Sequence, residues 1–317
     1  MDKEEDKEIQ EAIKKAEHFY KLLKSRKIDE IFEAILNTNN FERQVMADYI
    51  ESNYSMSIIK AIELIFTSQL KDILTYMFYN PYELDARLLY NAFHGFRTDN
   101  KLIVEIFASR PKWYLEYVDQ EYNRLYRNTL RSELQRKKKD FNNFLLCLMD
   151  TERPEGKHLS IEEAEKIVEE IFKRGLKTYG KNLELFKKVF VQKSREDFIL
   201  ISRVFFKNNP KKKNFYQACD DQVSGDNREL LKALVYSICD CSHYFAHNLK
   251  KAIVGLGTNT KVLNRILALR SEIDIDVIRE RYKGETGREL IDDIKGDCKG
   301  DYGKFLVQLA SRNPEPE

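Results

Sequence analysis

Tyr244-Phe245-Ala246-His247-Asn248-Leu249-Lys250-Lys251-Ala252-Ile253-Val254-Gly255-Leu256-Gly257-Thr258 is the stretch on which the reading of this chain turns. Phe245, Leu249, Ala252 and Ile253 recur at the spacing of one helix face. The pattern breaks at Gly255-Leu256-Gly257-Thr258, where two glycines free the backbone from the limits a side chain sets. An acidic residue, Asp297, lies 42 positions beyond Gly255. Alone, a G-x-G-T between helices is an ordinary turn, so its meaning depends on what surrounds it.

Outward from the loop the apolar positions keep stepping at helical intervals. They run Leu263, Ile266 and Leu267; Ile275, Ile278 and Tyr282; Leu290, Ile291 and Ile294; then Tyr302, Phe305, Leu306 and Leu309. With the opening segment, that predicts five short helices. Thr258 and Asp301 suit N-caps, Ser271 precedes Asp274 at capping-box spacing, and Gly284 and Gly287 break the chain between the third and fourth helices. Helices this short are marginal alone, so packing must hold them.

Repetition supplies the packing partners. Gly95-Phe96-Arg97-Thr98 stands 160 residues before Gly255-Leu256-Gly257-Thr258, and the same offset pairs Lys101 with Lys261, Ile103 with Leu263, Ile106 with Ile266, Arg110 with Arg270, Tyr122 with Tyr282 and Leu130 with Leu290. Half that offset reaches Gly175-Leu176-Lys177-Thr178, with Leu183 and Phe186 in register with Leu263 and Ile266. After a basic insertion at 208–213 the offset falls to 75, pairing Gly225-Asp226 with Gly300-Asp301 and Leu230, Leu231 and Leu234 with Phe305, Leu306 and Leu309. A more worn copy fits 8–78, with one helix through Ile31, Ile35 and Leu36 and a closing helix through Leu70, Ile73, Leu74 and Met77. The expected organisation is therefore all-α, with repeat 1 and a short N-terminal segment at 1–78, repeat 2 at 79–151, repeat 3 with a preceding linker at 152–240, and repeat 4 at 241–317.

Composition agrees. The 317 residues are 42% hydrophobic and 33% charged, with only 12 Gly and 6 Pro, as expected of a soluble, largely helical chain. No apolar run approaches the roughly 18 residues of a membrane span, and 1–8 is charged throughout. Five cysteines without paired spacing point to a reducing, cytoplasmic setting. A net charge of +2 decides nothing, so charge has to be read locally.

Four such repeats, each with five helices, a G-x-G-T loop after the first and an acid about 40 residues later, resemble the annexin family. The stretch 244–258 is similar to the opening of a family repeat, and Leu290-Ile291-Asp292-Asp293-Ile294-Lys295-Gly296-Asp297 is similar to its fourth helix and calcium cap. The resemblance spans the chain, strongest in repeat 4, then 2, 3 and 1. Such decay is like that of divergent protist annexins, the alpha-giardins among them, and the residues do not choose among subfamilies.

The resemblance implies four repeats forming one curved, disc-like core. It also implies a Ca2+ site made by the carbonyls of Ile253, Gly255 and Gly257 with the side chain of Asp297. Such a hard-oxygen set with one carboxylate suits calcium and leaves coordination positions open for a lipid phosphate. Elsewhere the pattern is lost. Arg97 and Lys177 replace the second glycine, the cap falls on Lys137 (or Arg136) and on Gln222, and repeat 1 has Lys24-Ser25-Arg26-Lys27 instead of a glycine loop. The resemblance would gather Lys24, Arg26, Lys27, Arg97, Arg136, Lys137, Lys138, Lys139, Lys173, Arg174 and Lys177 on a membrane-facing convex side. Each basic residue near an anionic leaflet contributes roughly 1 kcal/mol, screened by salt.

Other chemistries find less support. Cys239, Cys241, His243 and His247 are read as a repeat junction and helix face rather than a zinc cluster, and Asp220 to Gly225 has Leu231 where an EF-hand needs glutamate. P-loop, dinucleotide-binding, nucleophile-elbow and H-E-x-x-H patterns are absent. Trp113, Tyr114, Tyr117 and Tyr122 read as core or groove packing, not a platform for nucleic acid. The expectation is a non-enzymatic protein, cytoplasmic and peripheral at anionic phospholipid membranes. Its calcium switch would lie in repeat 4, with calcium-independent adhesion from repeats 1–3. The alternative is a calcium-insensitive structural module whose basic face binds the cytoskeleton, a microtubule or another acidic protein surface.

Overall fold

The computed structural model describes residues 3–136, 140–255 and 257–314, with side chains from residue 7. All regular structure among these residues is helical. Repeat 1 comprises α1 (Lys3–Ser25), α2 (Ile28–Leu36), α3 (Asn40–Tyr54), α4 (Ile58–Ile65) and α5 (Ser68–Met77). Repeat 2 comprises α6 (Pro81–His94), α7 (Asn100–Ser109), α8 (Lys112–Tyr126), α9 (Leu130–Gln135) and α10 (Asp140–Asp150). Repeat 3 has α11 (Ile161–Arg174), α12 (Leu176–Tyr179), α13 (Leu183–Phe186) running into a π-helical turn (Lys187–Val191), α14 (Arg195–Asn208), α15 (Phe215–Gln222) and α16 (Gly225–Cys239). Repeat 4 has α17 (Cys241–Ile253), α18 (Thr260–Arg270), α19 (Ile275–Thr286), α20 (Leu290–Asp297) and α21 (Gly300–Ala310).

Repeats 2 and 4 agree helix for helix: α6, α7, α9 and α10 each begin 160 residues before α17, α18, α20 and α21. Their corners agree as well. The third helix ends on a left-handed residue at Ser55, Arg127 and Gly287, and the closing helix opens at positive φ at Ser68, Gly225 and Gly300. Glycine relieves that strain at three of these six positions. Tyr122 and Tyr282, equivalent and fully buried, send their hydroxyls to Glu133 at 3.3 Å and to Asp293 at 2.6 Å. Each aromatic body is thus buried while its polar tip stays satisfied.

Several local expectations need correction. Repeat 3 has an extra helix, α12, in the segment expected as a loop, and its second helix is a short α turn continued as a π turn. The cap of α18 is Asn259, one residue beyond Thr258, because its side chain accepts from the Val262 N–H at 3.3 Å. Asp301 lies in the first turn of α21 and Lys299 is its N-cap. Ser271 is the buried C-cap of α18 while Asp274 starts α19, and Gly284 lies inside α19, leaving Gly287 to end it. Trp113 and Tyr117 are half exposed, whereas Tyr122 is buried.

The chain divides into two compact units, one of residues 1–81 and 245–317, the other of 82–244. In the first, α5 packs on α18 and α21, α1 on α3, and α2 on α21. Its repeats are joined by Arg43, 1% exposed, which donates to the carbonyl of Met77 at 2.7 Å and to Glu272 Oε1 at 2.5 Å. Arg312 meets the same Glu272 oxygen at 3.0 Å, and Glu272 Oε2 accepts from the Asn40 N–H at 2.8 Å. In the second unit α7 packs on α16, α11 on α14 and α15 on α16. There Ser237 donates to the Ala108 carbonyl at 2.5 Å and Asn100 to Asp226 at 2.8 Å.

Candidate functional site

The repeat-4 loop begins where α17 ends, at buried Ile253. The Asn259 N–H returns to the Ala252 carbonyl at 2.7 Å, closing the loop at its base. Gly255 lies at φ 147° and Gly257 at φ 82°, values that L side chains rarely adopt, while a Cβ on either would meet nothing within 4 Å. Glycine is needed here for backbone direction rather than for room. Leu256 lies outside the described residues.

Asp297 approaches from the opposite corner. It is the last residue of α20, and the turn after it is pressed onto α21: a Cβ on Gly303 would come 2.2 Å from the Cys298 carbonyl oxygen. The Asp297 carboxylate accepts from the Thr258 hydroxyl at 2.9 Å, across 39 residues of chain. An exposed carboxylate and a glycine-shaped loop thus meet at the surface. An oxygen-only donor set with a single acid fits Ca2+ better than a softer metal.

Just below the loop on α17, His247 Nδ1 lies 2.7 Å from Glu285 Oε1, with the Lys250 ammonium 3.2 Å from the same oxygen. Burial holds His247 below its ordinary range, so the neutral imidazole donates through Nδ1. Burial alone would raise Glu285, but the bonds from His247 and Lys250 outweigh it and hold its carboxyl low.

The other repeats differ in the loop, the cap or both. In repeat 2 the base is closed in the same way, by the Asp99 N–H on the Ala92 carbonyl at 3.0 Å. Gly95 lacks the positive φ of Gly255. At the tip stands Phe96, 102% exposed, beside exposed Arg97. Sequence reasoning passed over Phe96, although an apolar residue in an otherwise polar loop, in register with Leu256, was its signal. Of the cap candidates, Arg136 is exposed and pairs with Glu133 at 3.3 Å, while Lys137, Lys138 and Lys139 lie outside the described residues.

Repeat 3 closes the loop on its own cap. Gln222 accepts from the Leu176 N–H at 3.1 Å, Asn227 donates to the Gly180 carbonyl at 2.7 Å, and a Cβ on Gly180 would lie 2.7 Å from Val223. Protein hydrogen bonds and packing thus occupy the place where the repeat-4 loop is open. In repeat 1, α1 and α2 are joined by only Arg26 and Lys27, and Ile65 ends the fourth helix, in register with Asp297, beside Leu64, which is 80% exposed. Lys24, Arg26, Lys27, Lys173, Arg174 and Lys177 are all exposed. Lys24 stands over the Tyr20 ring, Lys27 pairs with Glu30 at 2.7 Å and Arg174 with Glu170 at 3.0 Å. Exposed pairs of this kind contribute about 0–1 kcal/mol and leave the cations available to other anions.

Comparison with known proteins places this architecture. The family model described as Annexin matches residues 84–148 and 244–309, the core of repeats 2 and 4. Mouse annexin A10 is 28% identical over 288 residues, covering 90% of this chain and 88% of that protein. Rabbit annexin A11 is 25% identical over 304 residues, covering 95% of this chain but 60% of its own length. The structure of annexin III superimposes with a TM-score of 0.85 at 23% identity over 95% of this chain and 94% of that one. The calcium-bound structure of alpha-14 giardin gives 0.79 at 16% identity over 96% and 100%, a likeness of fold alone. With four helical repeats, the glycine loop faced by an acid and these relatives, the chain is similar to the annexins in sequence and shares their fold.

Proposed function

We propose that this chain is an annexin that attaches to anionic phospholipid surfaces through a calcium switch in repeat 4 and calcium-independent basic loops in repeats 1–3. The observation that carries the reading is the 2.9 Å bond between Thr258 and Asp297, which sets a carboxylate against the glycine loop. Ile253, Gly255 and Gly257 would offer carbonyls, and Asp297 the one acid. Bound there, calcium would present open coordination positions to a lipid phosphate. The closed loop of repeat 3, the two-residue link of repeat 1 and the cationic surroundings of repeat 2 favour a single switch over four.

Repeats 1–3 contribute through charge and an apolar tip. Arg26, Lys27, Arg97 and, in α12, Lys177 are exposed, and exposed Phe96 adds an apolar side chain next to Arg97. Basic residues attract an anionic leaflet, and a flanking aromatic can enter its interface. Sedimentation with phosphatidylserine-containing vesicles tests both halves: binding in chelator should fall with salt, and calcium should add a component that survives salt. Salt-insensitive binding in chelator would refute the basic-loop half. Indifference to calcium would favour a structural module that binds an acidic protein surface such as a microtubule.

A further inference from the structure

The second unit contains a cavity of about 240 Å³ that plays no part in the reading above. Its wall is largely apolar, with Phe107, Leu148, Val191 and Leu234 among its residues, and Arg110 at the end of α7, Lys112 at the start of α8, Arg153 after α10 and Arg195 at the start of α14 supply its cations. It sits at the opposite end of α7 from the Phe96 loop, roughly 15 Å away at 1.5 Å per residue.

Its charge is strongly one-sided. Arg110, Lys112, Arg153 and Arg195 line it, against a single carboxylate, Glu152. Two of these cations are matched nearby, Arg110 by buried Asp85 at 2.9 Å and Lys112 by Glu116. The other two are held by carbonyls. Arg153 donates to Lys193 O at 2.7 Å and Phe190 O at 2.6 Å; Arg195 donates to Ile238 O at 3.2 Å and Cys239 O at 3.0 Å. Burial pushes the Arg153 guanidinium down to about 10, with no carboxylate acting against it. Each guanidinium has five N–H donors, so two carbonyl bonds fix its plane and leave donors for a ligand. Planar forks held this way suit a tetrahedral oxyanion.

We propose that this cavity binds a phosphate monoester through Arg153 and Arg195, with Lys112 at its rim. The volume falls below the roughly 300–1,000 Å³ of pockets for drug-sized ligands, so it admits a phosphoryl group and a small substituent but not a nucleotide. The same group could arrive on a small soluble ester or at the end of a lipid headgroup. Each arginine also clasps a helix end, and a purely structural role would leave phosphate no different from chloride.

Trp113, the only tryptophan, follows Lys112 but does not line the cavity, so its fluorescence is read beside isothermal titration calorimetry, which needs no reporter at the site. The intact chain should show a saturable response to inorganic phosphate, absent with chloride at equal ionic strength. Arg153→Gln should weaken it at least tenfold, and Lys112→Gln, on the surface and removing no helix clasp, about threefold. A response equal to chloride, or unchanged affinity in folded Arg153→Gln, overturns the proposal. If Arg153→Gln does not fold, unchanged affinity in Lys112→Gln overturns it. Vesicles of phosphatidylcholine with phosphatidic acid, in chelator, distinguish the sources: competition with phosphate for the calorimetric response indicates a headgroup, and its absence a soluble ester.

Discussion

Replacing Gly257 with alanine isolates what the glycine loop contributes. The residue sits at φ 82°, and a Cβ there would touch nothing within 4 Å, so the substitution introduces backbone strain without a clash. An L-residue held in the left-handed region costs about 1–2 kcal/mol. Because the loop is exposed and unpacked on that side, the variant can relax when no ligand holds it, and the cost then appears on binding rather than on folding. At about 1.4 kcal/mol per factor of ten, the calcium needed for half-maximal vesicle binding should rise about 5- to 30-fold. Vesicle sedimentation across a calcium titration measures this, and a thermal melt in chelator supplies the control, with an expected shift below about 1 °C. An unchanged calcium requirement, or a large loss of stability in chelator, would refute the reasoning.

Three further results are expected. Arg43→Leu removes a buried guanidinium that joins repeats 1 and 4 and leaves the Met77 carbonyl without its donor, while Arg312 still meets Glu272, so urea unfolding should show a loss of about 1–3 kcal/mol; a loss below about 0.5 kcal/mol would contradict the packing described. His247 and Glu285 both have depressed folded-state values, so each contributes stability above its unfolded value that is lost on acidification. Melting temperature should fall as pH drops below about 6.5, where His247 begins to take up a proton in the unfolded chain, and fall less steeply in His247→Asn. An identical slope in the variant would place the titration elsewhere. Phe96→Ser should weaken vesicle binding in chelator, by no more than the ~1.5–3 kcal/mol of full phenylalanine burial, and equal binding by the two proteins would remove Phe96 from the membrane surface.

Much of the fold was legible because the apolar spacing is local. The 160-residue match carries from Leu130 and Leu290 to the starts of α9 and α20 without correction. Repeat 3 was less legible because its departure depends on contacts distant in sequence. Leu176 to Tyr179 become helical beneath Gln222, Val223 and Asn227, which lie more than 40 residues away, and no spacing rule announces that closure. Asp297 could be singled out only through the resemblance to annexin repeats, and its support by Gly303 depends on a backbone approach that no pattern of residue types encodes. The N-cap error at Thr258 arose because Thr258 and Asn259 compete at adjacent positions and geometry decides which side chain meets the free N–H; at Asp301 it arose because α21 starts at Gly300, after Lys299, whose side chain makes no cap bond.

The most direct test of the switch is calcium-dependent sedimentation of Asp297→Ala with phosphatidylserine-containing vesicles, beside the intact chain. Asp297 is exposed, with one side-chain bond to Thr258, so the variant should fold normally. In the variant the calcium-dependent component should be lost while salt-sensitive binding in chelator persists. Retention of calcium-dependent binding at the same calcium concentration would contradict it.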